Sequence, residues 1–328
     1  MIKKNLVIIG GGWYGCHLAL SLKKKGFKIK LFEKNKEIFS EASLYNQNRL
    51  HLGFHYPRSY ITRMQSKNGF DKFLLNYPEV IKNLDLSIYA VSREDSLMDF
   101  DTYKAIMRSS KLVFDDITNK SPFPINNIQG VINTAEKIID SEKAKNYFRN
   151  KLSDISINNF EVTKKDIDNF LKNDDFVIDC TWNKIYEDKT FYYESSILLK
   201  YKRKNNLSFG LTIMDGYFPS IFPIDDEFSS LSDVEFTPFF KSYSYNQAYI
   251  SLEQINNNKV NDLKTKMESK ILKYLPNFKD YFEFAEPILS IKTKKINDRS
   301  ADRSTFLIPL KKNLYSVFSG KIDTIFDI

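Results

Sequence analysis

"NLVIIGGGWYGCHLALSLKKKGFKIKLFEK", residues 5–34, reads as strand, tight turn, helix, strand. Residues 5–9 are a short apolar run of the kind buried on both faces of a parallel sheet. Residues 16–27 carry Cys16, Leu18, Ala19, Leu20 and Leu22, and end in Lys23–Lys25 and Gly26. Cations in a last turn complement the helix dipole, and glycine suits the stop. Residues 28–34 alternate as a strand does. Between strand and helix, Gly10, Gly12 and Gly15 make G-x-G-x-x-G. The first glycine permits the turn, the second lets backbone approach a pyrophosphate, and the third lets helix and strand pack closely. The helix N-terminus then offers free N–H groups to phosphate. Glu33 closes the second strand, where an acid reaches a ribose hydroxyl and disfavours a 2′-phosphate. The plainer alternative is a glycine-rich turn beside an ordinary surface glutamate. This is the opening of a dinucleotide-binding βαβ unit, and the triplet alone does not separate NAD from FAD.

The next segment does bear on that choice. A plain doubly wound nicotinamide enzyme goes on to another short βα unit. This chain instead runs through polar and aromatic residues from 35 to 59, and a long irregular stretch in a compact protein is usually functional. It suits a segment draped along an extended cofactor. Within it, "NQNRLHLGFHYPRS", residues 46–59, holds His51 and His55, two of the chain's three histidines, with Arg49 and Arg58. A histidine that titrates near neutrality is suited to act as a base. Arginine is suited to bidentate pairing with a carboxylate or phosphate. Against these stand the bland alternatives of loop-anchoring histidines and surface ion pairs. His17, in the first turn of the helix, reads as structural. No third ligand accompanies His51 and His55, so no metal site is expected.

"VIIGGGWYG…FEK" followed by "EASLYNQNRLHLGFHYPRS", residues 41–59, resembles the FAD-dependent oxidoreductases of the D-amino-acid oxidase superfamily. That group includes glycine and sarcosine oxidases, and glycerol-3-phosphate and L-2-hydroxyglutarate dehydrogenases. The resemblance rests on Ser43, Asn46, His51, Gly53 and Tyr56 in the second segment, and extends to "DFVIDCTW" (175–182), "LTIMDGYFPSIFP" (211–223) and "SVFSGKIDTIF" (316–326). It implies an α/β fold: a Rossmann-like FAD-binding domain with an interleaved, mixed-sheet substrate domain. It implies FAD contacts from Gly10, Gly12, Trp13, Tyr14, Gly15, Glu33, Lys34 and Thr181. Ser43 and Asn46 would lie on the pyrophosphate and ribityl side, with Arg49, Leu50, His51 and Gly53 beside the flavin ring. Ser319, Gly320, Lys321 and Ile322 would form a turn offering donors to the negative charge of the reduced ring. Catalysis would fall to His51, His55 and Arg49. Tyr56, Arg58 and, in "RSADRSTF" (299–306), Arg299 and Arg303 are candidates for an anionic substrate group. The chain departs from the family where residues 323–328 offer barely more than one turn in place of a longer closing helix. It also lacks the late glycine-rich, arginine-containing run of the amine oxidases.

The expected division is an FAD domain from residues 1–85, about 130–190 and 290–328, and a substrate domain from about 86–129 and 191–289. Helices are expected at 59–76, 99–112, 141–152 and 259–275. Strands are expected at 86–92, 175–182, 195–204, 207–216 and 314–319, with a strand or hairpin at 129–140. The net charge of +8 comes from lysines spread along the chain, without a nucleic-acid motif, so no nucleic-acid partner is expected. Cys16 and Cys180 are far apart in apolar surroundings, which fits a reducing cytoplasm. No apolar run approaches the ~18 residues that span a bilayer. The three glycines break what would otherwise pass for a signal-peptide core. The expected activity is oxidation of a C–H bond next to an amine or hydroxyl on a small polar, anionic molecule, with hydride passing to the flavin. Oxygen, a quinone or a protein could each reoxidise it. Competing readings are a non-redox FAD-binding protein and a NAD-dependent dehydrogenase.

Overall fold

The computed structural model describes residues 5–173, 175–205, 207–296 and 305–328. Residues 5–33 fold as their pattern dictates. Strand β1 (Asn5–Ile9) leads into helix α1 (Trp13–Lys24) and returns as β2 (Lys28–Glu33), parallel to β1 with Leu6 opposite Ile29. The apolar run of β1 divides between two cores. Leu6 and Ile8 pack with Leu31 and, from α1, Cys16, Ala19 and Leu20. Val7 and Ile9 face Val162, Ile167, Val177 and Leu314 on the other side. Each such fully buried side chain contributes about 1.5–3 kcal/mol. Strand β1 therefore has no polar face, as its sequence requires.

Among the described residues there are three sheets. The first has six strands in the order Phe306–Lys311, Leu314–Phe318, Phe176–Asp179, β1, β2 and Ser156–Asn159, parallel except for the first pair. The second, nine-stranded and mixed, is built largely from residues 191–295 together with Leu86–Ser92, Phe114–Asp116 and Ile128–Thr134. The third is small: β3 (Arg49–Leu50) and Ile81–Lys82 pair on either side of Lys137–Ile139. No helix of the described residues is long and apolar enough to cross a membrane.

Two strand readings need correction. Residues 129–140 do not form a hairpin. Ile128–Thr134 pairs with Leu86–Ser92 in the large sheet, whereas Lys137–Ile139 pairs with β3 in the small one. The chain changes sheets at Ala135–Glu136 and so carries Glu136 in behind β3. Likewise the strands expected at 195–204 and 207–216, with a turn at 204–206, fold as Phe191–Arg203 and Phe209–Met214, which are consecutive but not neighbours. The former pairs along its length with Phe282–Lys295, while the latter lies between Leu86–Ser92 and Pro219–Pro223. Burial on both faces erased the alternation that would have signalled their partners.

Helix α2 (Tyr60–Asn76) starts at Ser59, whose Oγ accepts a hydrogen bond from Thr62 N. It supports the histidine loop: Arg63 donates to the carbonyls of Tyr56 (2.9 Å) and Pro57 (3.0 Å). Gly53 adopts φ +117, and a Cβ there would meet Arg63 Cγ and O at 2.8 Å. The C-terminal segment lies on the same helix and ends in a single 3-10 turn, Ile325–Asp327. Its backbone passes so close to Gly69 that an added Cβ would stand 2.0 Å from Asp323 O. Gly69→Ala is therefore expected to destabilise the protein by about 1–3 kcal/mol, as overpacking does, read as a lower urea midpoint. An unchanged midpoint would mean that the segment does not rest on α2 in solution.

Candidate active site

The glycine turn is held from three directions. Gly10, at φ +100, donates to Phe32 O at 2.7 Å, and a Cβ on it would stand 2.9 Å from Cys180 O. A Cβ on Gly15 would fall 1.9 Å from Gly10 O. The Glu33 carboxylate, expected to reach a ribose hydroxyl, accepts from Gly11 N at 2.7 Å and from Asn35 N at 2.9 Å, and so fixes the turn. Ser43, arriving from the loop, accepts from Trp13 N at 3.0 Å and caps α1. Lys34 pairs with Glu41 at 2.7 Å, and Glu41 also pairs with Lys184. Burial pushes the Glu41 carboxyl up, but the two ammonium groups outweigh it and bring it down to about 2. Thr181, just past the neighbouring strand, donates N–H and Oγ–H to Asp179 Oδ1 at 2.8 and 2.6 Å.

From this turn a cavity of about 1060 Å³ runs to the histidine loop. Gly10, Gly12, Tyr14, Glu33, Lys34 and Thr181 line one stretch of it. Ser43, Asn46, Arg49, His51, His55, Tyr56 and Arg58 line another, with Ser319, Gly320, Lys321 and Ile322. Asn46 spends its side chain on the loop itself, donating to Ala42 O and Ser43 O and accepting from Asn48 N. Trp13 reaches the cavity wall, but its indole lies in the core against Phe39, Phe73, Tyr77 and Phe148. Gly15 and Leu50 are not among the lining residues; Leu50 is fully buried in the core. Arg299 and Arg303 lie outside the described residues.

At the loop end the charges are paired, with one exception. Arg58 Nε donates to Asp215 Oδ2 at 2.6 Å. The Lys321 ammonium, buried, meets Asp323 at 2.9 Å and Ser66 Oγ, and sits 4.3 Å from the centre of the Tyr56 ring. Lys321 N is taken by Ser319 Oγ at 3.1 Å. His51 and His55 rings lie 5.4 Å apart, both edge-on to Tyr56. His51 Nδ1 is 3.4 Å from Oε2 of the buried Glu136. The exception is Arg49. Its guanidinium donates to Thr212 Oγ1 (2.6 Å) and Ser220 Oγ (2.7 Å) and packs over the Phe222 ring, with no carboxylate in ion-pair range among the described residues. Burial pulls its basicity below the ordinary arginine range, against the opposing pull of Tyr89 and Glu136.

The cavity is long and ends in polar side chains, and known proteins resemble this chain in sequence and fold. The family model of FAD-dependent oxidoreductases matches residues 5–113. An FAD-dependent monooxygenase of Fusarium mangiferae is 36% identical over 331 residues, covering 98% of this chain and 88% of its own. The chain belongs to the FAD-dependent oxidoreductases. L-proline dehydrogenase from P. horikoshii matches the oxidoreductase with a TM-score of 0.71 at 13% identity, over 98% of this chain and 90% of its own. L-α-glycerophosphate oxidase from Mycoplasma pneumoniae, with FAD bound, has a TM-score of 0.69 at 14% identity, over 99% and 92%. Both likenesses concern the fold. FAD is the oxidoreductase's cofactor, and the cavity fits it. Gly10 leaves no room for a Cβ beside the Cys180 backbone, Gly12, Trp13 and Tyr14 at the start of α1 line the cavity, and the volume suits a ligand larger than a drug-sized molecule.

Several residues of the site were not legible beforehand. Glu136 reaches it from the link between two strands, and nothing near it in the sequence marks it; Thr212, Asp215 and Ser220 come from the stretch 211–223 that carried part of the resemblance, but nothing there marks their pairing with Arg49 and Arg58. Tyr14 has a further role: its hydroxyl donates to Lys321 O at 2.7 Å and meets Thr305 and Thr324 Oγ1 at 3.0 and 3.1 Å. His17 is structural, its Nδ1 2.7 Å from Tyr77 OH, and burial lowers its pKa to about 4.

Proposed function

We propose that this oxidoreductase oxidises a C–H bond next to an amine or hydroxyl of a small, polar, anionic molecule. The single observation that carries the reading is the buried Arg49 guanidinium, without a carboxylate partner among the described residues, in the same cavity as His51. A buried cation without a counter-charge is costly, so an anion is the natural occupant of that end. In this reading the six-stranded sheet carries FAD and the nine-stranded sheet walls the substrate. Bound FAD supplies the two-electron acceptor that takes hydride from the carbon. Arg49 holds the anionic group and so fixes which C–H bond faces the ring. His51 takes the N–H or O–H proton as the C=N or C=O bond forms. Tyr56 and His55 flank it and limit water. The two structural neighbours support the anionic substrate class, since proline and glycerophosphate, after which those enzymes are named, both carry an anionic group.

A second reading rests on the Fusarium relative, which is named a monooxygenase. In it the same cavity would deliver one atom of dioxygen to the substrate while the other leaves as water, with two electrons that an external reductant such as a reduced nicotinamide supplies through the flavin. The purified yellow protein tests both. Anaerobic addition of small amino and hydroxy acids should bleach the flavin's visible band with at least one of them. Isotope-labelled dioxygen recovered in the product would favour the second reading. No bleaching by any anionic amine or alcohol would overturn the first.

Arg49→Met tests the anchor. It should raise KM for an anionic substrate by about 10- to 100-fold, the worth of a charged hydrogen bond. Stability should hold or rise, because an apolar side chain replaces a buried charge. An unchanged KM would remove Arg49 from substrate binding.

A further inference from the structure

Glu136 is used by nothing described so far, yet it is one of the most enclosed charged groups in the molecule. It is 2% exposed, and its side chain is fully covered. One oxygen accepts from Leu52 N at 2.7 Å, the other from Tyr89 OH at 2.7 Å. Burial pushes its carboxyl up, but the neighbouring His51 ring and these two donors outweigh it and hold it below the usual carboxylate range. Its place follows from the change of sheets at Ala135–Glu136, which delivers a carboxylate to the back of the histidine loop. Its Oε2 stands 3.4 Å from His51 Nδ1, a nitrogen that is itself buried and makes no formed hydrogen bond. With Nδ1 turned to Glu136, Nε2 is the nitrogen left for the cavity that His51 lines.

We propose that Glu136 is the positioning residue of the reaction. It keeps the proton of neutral His51 on Nδ1, which leaves Nε2 as the acceptor, and it supplies the counter-charge for the imidazolium formed when Nε2 takes the substrate proton. The substrate's N–H or O–H bond breaks, the Nε2–H bond forms, and the positive charge appears 3.4 Å from a carboxylate that was ionised beforehand. A contact too long to be a strong bond in the resting state and favourable once the ring is charged stabilises the transition state more than the ground state. The other groups around His51 are His55 and Tyr56 on its own loop, Lys321 across the Tyr56 ring, Arg49 in the same cavity, and Tyr89, whose hydroxyl shares Glu136 Oε2 with it. Among the described residues, Glu136 is the carboxylate that faces His51.

The inference rests on His51 being the base, and the test separates the two. Glu136→Gln in the FAD-loaded enzyme should lower kcat by about 10- to 100-fold with KM for the anionic substrate within about twofold. The acid limb of the kcat/KM profile should move to lower pH, because the neighbouring negative charge that favoured imidazolium is gone. The double variant His51→Ala/Glu136→Gln should be no slower than His51→Ala alone. If His51→Ala is slow and Glu136→Gln keeps both its rate and its acid limb, the role of Glu136 is overturned and the base stands. If His51→Ala is itself fast, the base reading fails first. Should Glu136→Gln not fold, isotope-labelled histidine NMR of the wild-type protein gives the answer without a variant. The proton of neutral His51 on Nδ1 is the expected result; its presence on Nε2 would overturn the proposal.

Discussion

His51→Ala is expected to slow flavin reduction by substrate by about 10²- to 10⁴-fold, the range that a positioned base supplies. Stability should change little, because the imidazole makes few obligatory contacts. Its Nδ1 lies 3.4 Å from Glu136 without a formed hydrogen bond, and the Glu136 carboxylate keeps Leu52 N and Tyr89 OH as donors when the ring is gone. The loop itself is pinned elsewhere, by Arg63 on the carbonyls of Tyr56 and Pro57 and by Tyr103 OH on Phe54 O at 2.9 Å. The measurements are anaerobic rapid mixing for reduction and urea denaturation for stability, at equal FAD content. Added imidazole should restore part of the rate in the variant. A fall in stability that matches the fall in rate would make His51 a piece of scaffold, and a rate near wild type would leave the reaction without this base.

Gly15→Ala should have the second large effect, this time on the cofactor. The added carbon would lie 1.9 Å from Gly10 O, and a backbone oxygen cannot rotate away as a side chain can. Gly10 cannot yield easily either, since its N–H is bound to Phe32 O and its own φ is +100. Helix α1 must therefore move off β1, carrying with it the N-terminal amides that the glycine motif predicts to face a pyrophosphate. The expected results are protein purified without yellow colour, a loss of about 1–3 kcal/mol or more in stability, and no rise in Tm when FAD is added. Wild-type protein should show that rise, because ligand binding to the folded state stabilises it. Gly26→Ala is the control. Gly26 also has positive φ, +90, but nothing lies within 4 Å of its added carbon. That variant should lose about 1–2 kcal/mol to backbone strain and keep its flavin. Full flavin content in Gly15→Ala would show that the close approach of helix and strand is dispensable.

The parts of the molecule that could be read from the sequence are those in which neighbours in the chain are also neighbours in space. The unit from β1 to β2 announced itself through an apolar run, three spaced glycines and a strand-end acid, all within thirty residues. The loop around His51 stood out because histidine is scarce elsewhere. Legibility failed where contacts are distant. Arg58 meets Asp215 from 157 positions away, and Leu52 meets Glu136 from 84 away. The "TAEKI" run carries a charge and a turn-like change of pattern, which reads as a hairpin; only the three-dimensional path makes it a crossing between sheets. Trp13 and Leu50 were drawn in by their neighbours Gly12 and Arg49, but adjacent residues on a helix or strand point in different directions, and both side chains went to the core.

The latch formed by Tyr14 has a bearing on how the protein is made. Its phenol meets Thr324, 310 positions downstream, and the central sheet places β1 one strand away from the pair completed by Leu314–Phe318. A ribosome adds roughly 5–20 residues per second, so tens of seconds separate the synthesis of these partners. During that interval the nascent glycine turn lacks one wall of its cradle, and capture of the flavin nucleotide belongs to the moments after the last strand emerges.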